Sequence, residues 1–192
     1  MLHIITTLWR YENLDVIWES LKNYEDTIWH LSKVKDREID KKWYEIPNVK
    51  VWDLDCKDTD TETKKNVVMD SIKNNNEFFC LLDDDTIFHN GMYQEYLKHK
   101  NSNFKGMVIG NQLYNNRLRL KASYPRYCKI DTGNVLCHTD LLKELTWIID
   151  PKTAGDFYFW NRCFKILGVK NTILLNATIS FYNSLSKEKW KK

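Results

Sequence analysis

Three consecutive carboxylates, Asp83, Asp84 and Asp85, follow directly on the apolar run Phe78-Phe79-Cys80-Leu81-Leu82. Three like charges in a row repel one another, and Asp is depleted in strands. Such a cluster persists when a cation sits among the carboxylates, or when the run is a solvated turn. The first case is the chemistry of hard divalent cations. Mg2+ or Mn2+ takes carboxylate oxygens and commonly shares one or two of them with substrate phosphates. The second case makes the run a turn capping a helix near residue 91, since Asp favours turns. Five apolar residues ahead of the run favour the first, because they read as a buried strand that delivers carboxylates to the edge of a sheet.

The flanking elements must do the positioning. Leu2 to Leu8 is a β-prone run ending in Thr6-Thr7. Leu14, Ile17, Trp18, Leu21 and Tyr24 recur at helical spacing and predict a helix over about 12–25. Thr27–Ser32 and Val49–Leu54 read as strands on either side of the charged stretch Lys33–Lys42. Thr59–Asn74 reads as a helix and Glu77–Leu82 as the strand before the carboxylates. Further on, 91–99 reads as helix, 106–110 as extended, Ile130–Cys137 as strand and Thr139–Leu145 as helix. Phe157–Leu167 is helical and stops at Gly168, and Ile173–Tyr182 is extended. Alternation of strands and helices over the first half predicts an α/β fold with a parallel sheet and crossover helices. In open sheets of that kind ligands bind outside the carboxyl ends of the strands. Thr6-Thr7 and the Asp run therefore share one crevice.

Composition sets the limits. A chain of 192 residues, 43% hydrophobic, makes one domain with a real core. Its 29 basic and 26 acidic residues, interspersed along the chain, give a net charge of +3 and not the footprint of a dedicated nucleic-acid binder. The five cysteines are odd in number and widely spaced, with no CxxC or Cys/His pattern for structural zinc. Cys80 and Cys137 lie in apolar runs and read as buried thiols of a reducing compartment, which implies a cytoplasmic location. The start MLHIITTLWR is too short and too soon polar for a signal peptide, and no window approaches a membrane span.

Two enzyme classes place paired Asp residues at such a strand end. Haloacid dehalogenase-type phosphatases use DxDxT after the first strand. Here the Thr stands at Thr86, one place early, and the motif follows about the fourth strand. The other class is the nucleotide-sugar glycosyltransferases of the GT-A fold, whose DxD follows an internal strand. The chain resembles these enzymes, most closely the inverting family 2 group, over residues 2–168. ITTLWR is similar to the first strand and nucleotide loop, and KKNVVMDSIKNNNEFFCLLDDDT to the helix and strand that lead to DxD. IDTGNVLCHTDLLKE resembles the donor-sugar segment, and GDFYFWNRCFKILG the segment with the acidic motif and its helix. Small size and a Lys/Asn-rich composition add a similarity to capsid-glycosylating enzymes of large algal viruses, for which the compartment would be the host cytoplasm.

The resemblance implies a single GT-A (Rossmann-like) domain with a mostly parallel central sheet flanked by helices. A nucleotide-binding half would span about 1–88, an acceptor and donor-sugar half about 89–183, and a basic tail 184–192. It implies Mn2+ or Mg2+ as cofactor, a UDP-linked hexose as donor and a glycan or glycoprotein as acceptor. Asp85 would bind the metal, with Asp83 supporting the metal or its waters, and Asp84 would meet the ribose. Thr7, Trp9 and Arg10 would lie near base and ribose, and Lys65 would face the nucleotide. Asp131, Gly133 and Asn134 would line the donor sugar. Asp156, after Gly155, would be the catalytic base of an inverting transfer. Read without the resemblance, Asp156 is a helix N-cap. One departure is clear: where the family carries a uracil-reading carboxylate this chain has Ser32-Lys33-Val34, with Asp36 and Glu38 the nearest acids.

Lesser candidates are His89 as a further metal ligand, Trp9, Trp147 and Trp160 as stacking surfaces or core, and Arg162 as an ion-pair partner. The tail Lys187–Lys192, with Trp190, reads as a solvated end or domain boundary in preference to a membrane-surface contact. Two other functions fit an α/β fold with these carboxylates. A nucleotidyltransferase normally carries a Gly-rich loop after its first strand, and ITTLWRYENL has no Gly. A sugar-binding module without catalysis would tolerate a damaged metal or base motif, and both motifs are intact.

Overall fold

The computed structural model describes residues 1–148 and 155–185. The strands are β1 (Leu2–Thr7), β2 (Thr27–Val34), β3 (Val49–Leu54), β4 (Phe78–Leu81), β5 (Met107–Tyr114), β6 (Arg117–Leu120), β7 (Val135–His138) and β8 (Thr172–Phe181). The helices are α1 (Leu14–Leu21), α2 (Lys42–Glu45), α3 (Thr61–Ile72), α4 (Asn90–His99) and α5 (Gly155–Leu167). The strands form one sheet in the order β3-β2-β1-β4-β7-β5-β6, with β8 lying parallel to β5. The β1–β2, β2–β3 and β1–β4 pairings are parallel, as the alternation of the first half predicts. The β4–β7, β5–β7 and β5–β6 pairings are antiparallel.

Period-two alternation builds a core on each face. Leu2 and Ile4 of β1 and Phe78 and Cys80 of β4 face one way, against Leu14, Ile17 and Leu21 of α1 and Met92 and Tyr96 of α4. Ile5, Phe79 and Leu81 face the other way, against Val68, Met69 and Ile72 of α3 and Phe159, Trp160 and Cys163 of α5. Burial on both faces explains why β1 and β4 are short apolar runs. The side chain of Asp60 accepts a hydrogen bond from the Thr63 N–H at 2.9 Å and so starts α3, while Gly168, at φ 66°, lets the chain turn out of α5.

The second half departs from the sequence reading. Ile130–Cys137 is a 3-10 turn, Thr132–Asn134, followed by a short strand. Thr139–Lys143 is 3-10 and not an α-helix. The β5–β6 hairpin turns through Asn115 and Asn116, both at positive φ, as a tight two-residue turn requires. None of the five cysteines is paired in a disulfide, and Cys80, Cys137 and Cys163 are buried. Among the described residues no helix is long and apolar enough to cross a membrane.

Candidate active site

The carboxyl ends of β1 and β4 open into a cleft of about 480 Å³, lined by Thr7, Trp9, Arg10, Lys65, Asp83, Asp84, Asp85, Asp131 and Asp156 among others. Residues separated by most of the chain length meet there because β1 and β4 are adjacent and parallel, and α5 packs over the same sheet face as α3.

The three consecutive Asp residues have three different environments. Asp84, 4% exposed, is fully engaged by the protein. One oxygen accepts the backbone N–H of Arg10 at 2.7 Å and that of Trp9, and the other accepts the Arg10 guanidinium at 2.8 Å. Its backbone carbonyl accepts from the Asn13 amide at 2.8 Å. In this structure Asp84 ties the loop after β1 to the end of β4, and it lines the cleft. Asp85 is similarly buried but lies only at 3.4 Å from Arg10 and accepts a long hydrogen bond, 3.3 Å, from the Thr86 hydroxyl. Burial pushes its carboxyl above the ordinary value against the pull of Arg10. No described residue donates a hydrogen bond to Asp83. Burial, and then the Asp131 carboxylate, push Asp83 well above the carboxylate range, with Lys65 opposing them.

The run does not cap the next helix. His89 does so, its Nδ1 accepting the Gly91 N–H at 2.9 Å while its ring packs edge-on to Phe181. His89 is therefore a capping residue outside the cleft lining.

On the opposite wall Asp156 stands in the first turn of α5, inside the helix and not at its cap. The positive end of the helix dipole favours a carboxylate there. Burial raises its pKa, while Lys65 and hydrogen bonds from the Thr132 hydroxyl and amide lower it. Lys65 lies 3.6 Å from the ring centre of Trp147, and its ammonium is depressed by burial against the opposing pull of Asp156, Asp83 and Asp131. Asp131 pairs with Arg119 at 2.6 Å.

Several expected site residues are elsewhere. Asn134 is fully buried, its amide oxygen accepting the Asp131 N–H at 3.0 Å and its NH2 donating to the Gly110 carbonyl at 3.1 Å. It locks the turn that carries Asp131 and cannot line a sugar. Gly133 faces Gln112, Leu81 and Ser180 and not the cleft. A Cβ on Gly155 would come no closer than 3.6 Å to Trp147, so close backbone approach does not require glycine there. Trp160 is core, Trp147 is buried beneath Lys65, and Trp9, 42% exposed, stands at the cleft. Arg162 donates to the Thr146 carbonyl at 3.2 Å and pairs with no described acid. The tail from residue 186, including Lys187 and Trp190, lies outside the described residues.

Sequence reasoning missed Arg119, Tyr182, Asn183, Thr61 and Thr132 of the cleft lining. Arg119 stacks on Tyr182 at 3.5 Å. The Asn115-Asn116 pair was the signal that could have found the hairpin carrying Arg119. Lys64, next to Lys65, is fully buried and binds the Leu8 carbonyl at 3.0 Å and Asp58 at 3.0 Å, so it holds the loop and does not face the cleft. Neither Asp36 nor Glu38 lines the cleft.

The residues fit a hard divalent cation. Among the described residues Asp83 offers a carboxylate with no hydrogen-bond donor on it, and Asp85 one only weakly engaged, whereas Asp84 is held by Trp9 and Arg10. Among the described residues no group of three or more His, Cys, Asp or Glu could hold a metal by itself. That suits an ion which takes one or two carboxylates and completes its shell with substrate phosphates and water.

The sequence matches no protein-family model and no curated protein sequence. Solved structures of Staphylococcus aureus TarS do resemble the fold. TarS 1–349 in complex with UDP-GlcNAc superposes with a TM-score of 0.68 at 14% identity over 94% of this chain. Another TarS structure gives 0.71 at 14% identity, again over 94%. The chain spans 58% of the first and 36% of the second. At that identity the likeness establishes architecture alone: the chain shares the fold of these structures, a single mixed α/β domain on an eight-stranded sheet.

Proposed function

We propose that the protein is a divalent-metal-dependent glycosyltransferase that moves a hexose from a UDP-linked donor to a glycan acceptor with inversion. One observation carries this reading: the strand-end carboxylates Asp83 and Asp85 share a cleft with a separate carboxylate, Asp156, on a helix N-terminus. UDP and UDP-GlcNAc complexes of the TarS fold support a nucleotide-sugar donor.

In this reading Thr7, Trp9 and Arg10 receive the nucleoside, and Arg10 and Lys65 face its diphosphate. Asp83 and Asp85 would hold Mn2+ or Mg2+, which when bound stabilises negative charge on the leaving diphosphate. The acceptor hydroxyl is a weak nucleophile and needs a base as it attacks the anomeric carbon. Asp156 takes that proton. Its raised pKa makes it a stronger base than an exposed carboxylate, and Lys65 and Thr132 keep its ionised form accessible.

Calorimetry of UDP with and without Mn2+, on the wild type and on Asp85→Asn, tests the donor half. Wild-type binding should need Mn2+, and Asp85→Asn should weaken it by roughly tenfold or more, about 1.4 kcal/mol. Equal affinity in all four titrations would overturn the metal role.

A further inference from the structure

Charges of both signs mix along most of the chain, but not between Glu95 and Asp131. Residues 96–130 hold eight Lys and Arg and not one Asp or Glu. Four of the eight find acids from elsewhere: Lys98 with Glu95, Lys100 with Asp26, Lys105 with Asp140 and Arg119 with Asp131. The other four, Arg117, Lys121, Arg126 and Lys129, are exposed and have no acidic partner among the described residues. They lie together in sequence, on β6 and the loop that follows it.

Two contacts place this basic segment beside the cleft. Arg119, between Arg117 and Lys121, lines both the cleft and a shallow groove of about 480 Å³ formed with Tyr114, Arg117 and Leu118. Tyr127, between Arg126 and Lys129, packs edge-on to Phe157 at 6.0 Å between ring centres, and Phe157 is the neighbour of Asp156 on α5. The segment thus runs from the cleft mouth to the helix that carries the proposed base. The nucleotide end, at Trp9, Arg10 and Asp84, lies on the loops after β1 and β4.

A merely solvated surface usually mixes both signs, whereas a run of one sign beside a cleft concentrates oppositely charged ligands. We infer that this segment is the acceptor-binding surface and that the acceptor is an anionic glycan, bearing carboxylate or phosphate groups along its length. The basic side chains hold the anions, and Leu118 and Tyr127, 56% and 59% exposed, offer apolar contact to sugar rings. The inference rests on the glycosyltransferase reading for the word acceptor. The anionic-glycan surface itself can be measured without it.

The test uses the full chain and a fourfold variant, Arg117→Gln, Lys121→Gln, Arg126→Gln and Lys129→Gln. All four positions are exposed and none lines the cleft except through the neighbouring Arg119, so the fold should hold. Four probes are titrated at low and moderate salt: oligogalacturonate for carboxylates, a phosphorylated oligomannose for phosphates, neutral maltoheptaose, and a short single-stranded oligonucleotide. At least one anionic glycan should bind the wild type, weaken with salt, and lose roughly tenfold or more in the variant. The better of the two identifies the anion. The inference is overturned if neither anionic glycan binds, if maltoheptaose binds as well as they do, if the variant binds unchanged, or if the oligonucleotide is preferred. UDP with Mn2+ should bind wild type and variant alike. Failure of UDP to bind the wild type would strike the donor reading alone and leave the glycan titrations to decide the acceptor surface.

Discussion

His3 and Asp83 stand at opposite ends of two adjacent strands, and their polar groups are in opposite conditions. At the amino end, the Trp52 indole N–H donates to His30 Nδ1 at 3.2 Å. His30 Nε2 must then carry its proton and donate to His3 Nδ1 at 2.9 Å, and His3 Nε2 donates in turn to Glu77 at 2.6 Å. The Asn75 amide also lies 3.2 Å from His3 Nε2, and Glu77 meets the amino terminus at 3.2 Å. At the carboxyl end, Asp83, Asp131 and Asp156 crowd around Lys65, and no described donor reaches Asp83. The same sheet therefore completes its polar pairing at one end and leaves it incomplete at the other. Carboxylates gathered in an open cleft without protein donors mark the end where a ligand belongs.

The largest effect should come from the incomplete end. Asp156→Asn should lower turnover by about 10²–10⁴-fold, as loss of a general base does. Metal-dependent UDP binding should survive, because the base serves the acceptor. Stability should barely move, since Asn is nearly the same size in the first turn of α5. The product of the wild type should have inverted anomeric configuration by NMR. Retention, or an Asp156→Asn enzyme with near-normal turnover, would remove Asp156 from the mechanism and leave it a helix-terminal carboxylate.

The comparison also shows what a sequence can disclose. β1 to β4 were legible because parallel strands buried on both faces read as short apolar runs, and because turns and helices separate them at regular spacing. The meeting of Thr7 with Asp83 follows from that topology alone. The second half was less legible. β7 is four residues long, and the 3-10 turn before it hides inside the apolar-looking stretch Ile130–Cys137. Its antiparallel pairing leaves no signature in the strand itself. In the site, Asp156 and Lys65 reached the cleft, while Asn134 and His89 were drawn into backbone capping, a competition that residue type cannot forecast. The split among Asp83, Asp84 and Asp85 needed the loop geometry of Trp9 and Arg10.

At the amino end the expected effect is on stability against pH. Burial, helped by His3 and Lys50, lowers His30 to about 3, and burial also lowers His3 against the pull of Glu77. A histidine depressed in the folded chain binds its proton more readily when unfolded. Its contribution is complete above the unfolded value of about 6.5 and declines as pH falls toward the folded one. For His30 each pH unit in that window should cost about 1.4 kcal/mol, so about 2 kcal/mol is lost between pH 6.5 and 5. Urea unfolding at pH 7.5 and 5.0 reads this directly. His30→Gln keeps a donor and an acceptor but does not titrate, and its slope with pH should be flatter. Parallel losses in wild type and variant would mean that the pair is not held neutral.

The smallest effect is the most discriminating, because it sets neighbouring residues against each other. Asp84 has every carboxylate oxygen filled by Trp9 and Arg10. Asp84→Asn turns an acceptor into a donor facing N–H groups and should cost about 1–3 kcal/mol in the metal-free protein. Asp83 faces Asp131 and Asp156, opposed by Lys65, and has no described donor. Asp83→Asn removes the repulsion from these carboxylates and should leave stability unchanged or raise it, read as an unchanged or higher Tm. The signs should separate again on adding Mn2+ and UDP. The wild type should gain stability by mass action, and Asp83→Asn should gain less because it has lost a metal ligand. Thermal unfolding of both variants, with and without Mn2+ and UDP, provides all the readings. If both substitutions destabilise equally without metal, Asp83 is as well satisfied as Asp84, and the contrast between the two ends of the sheet fails at the residue on which it most depends.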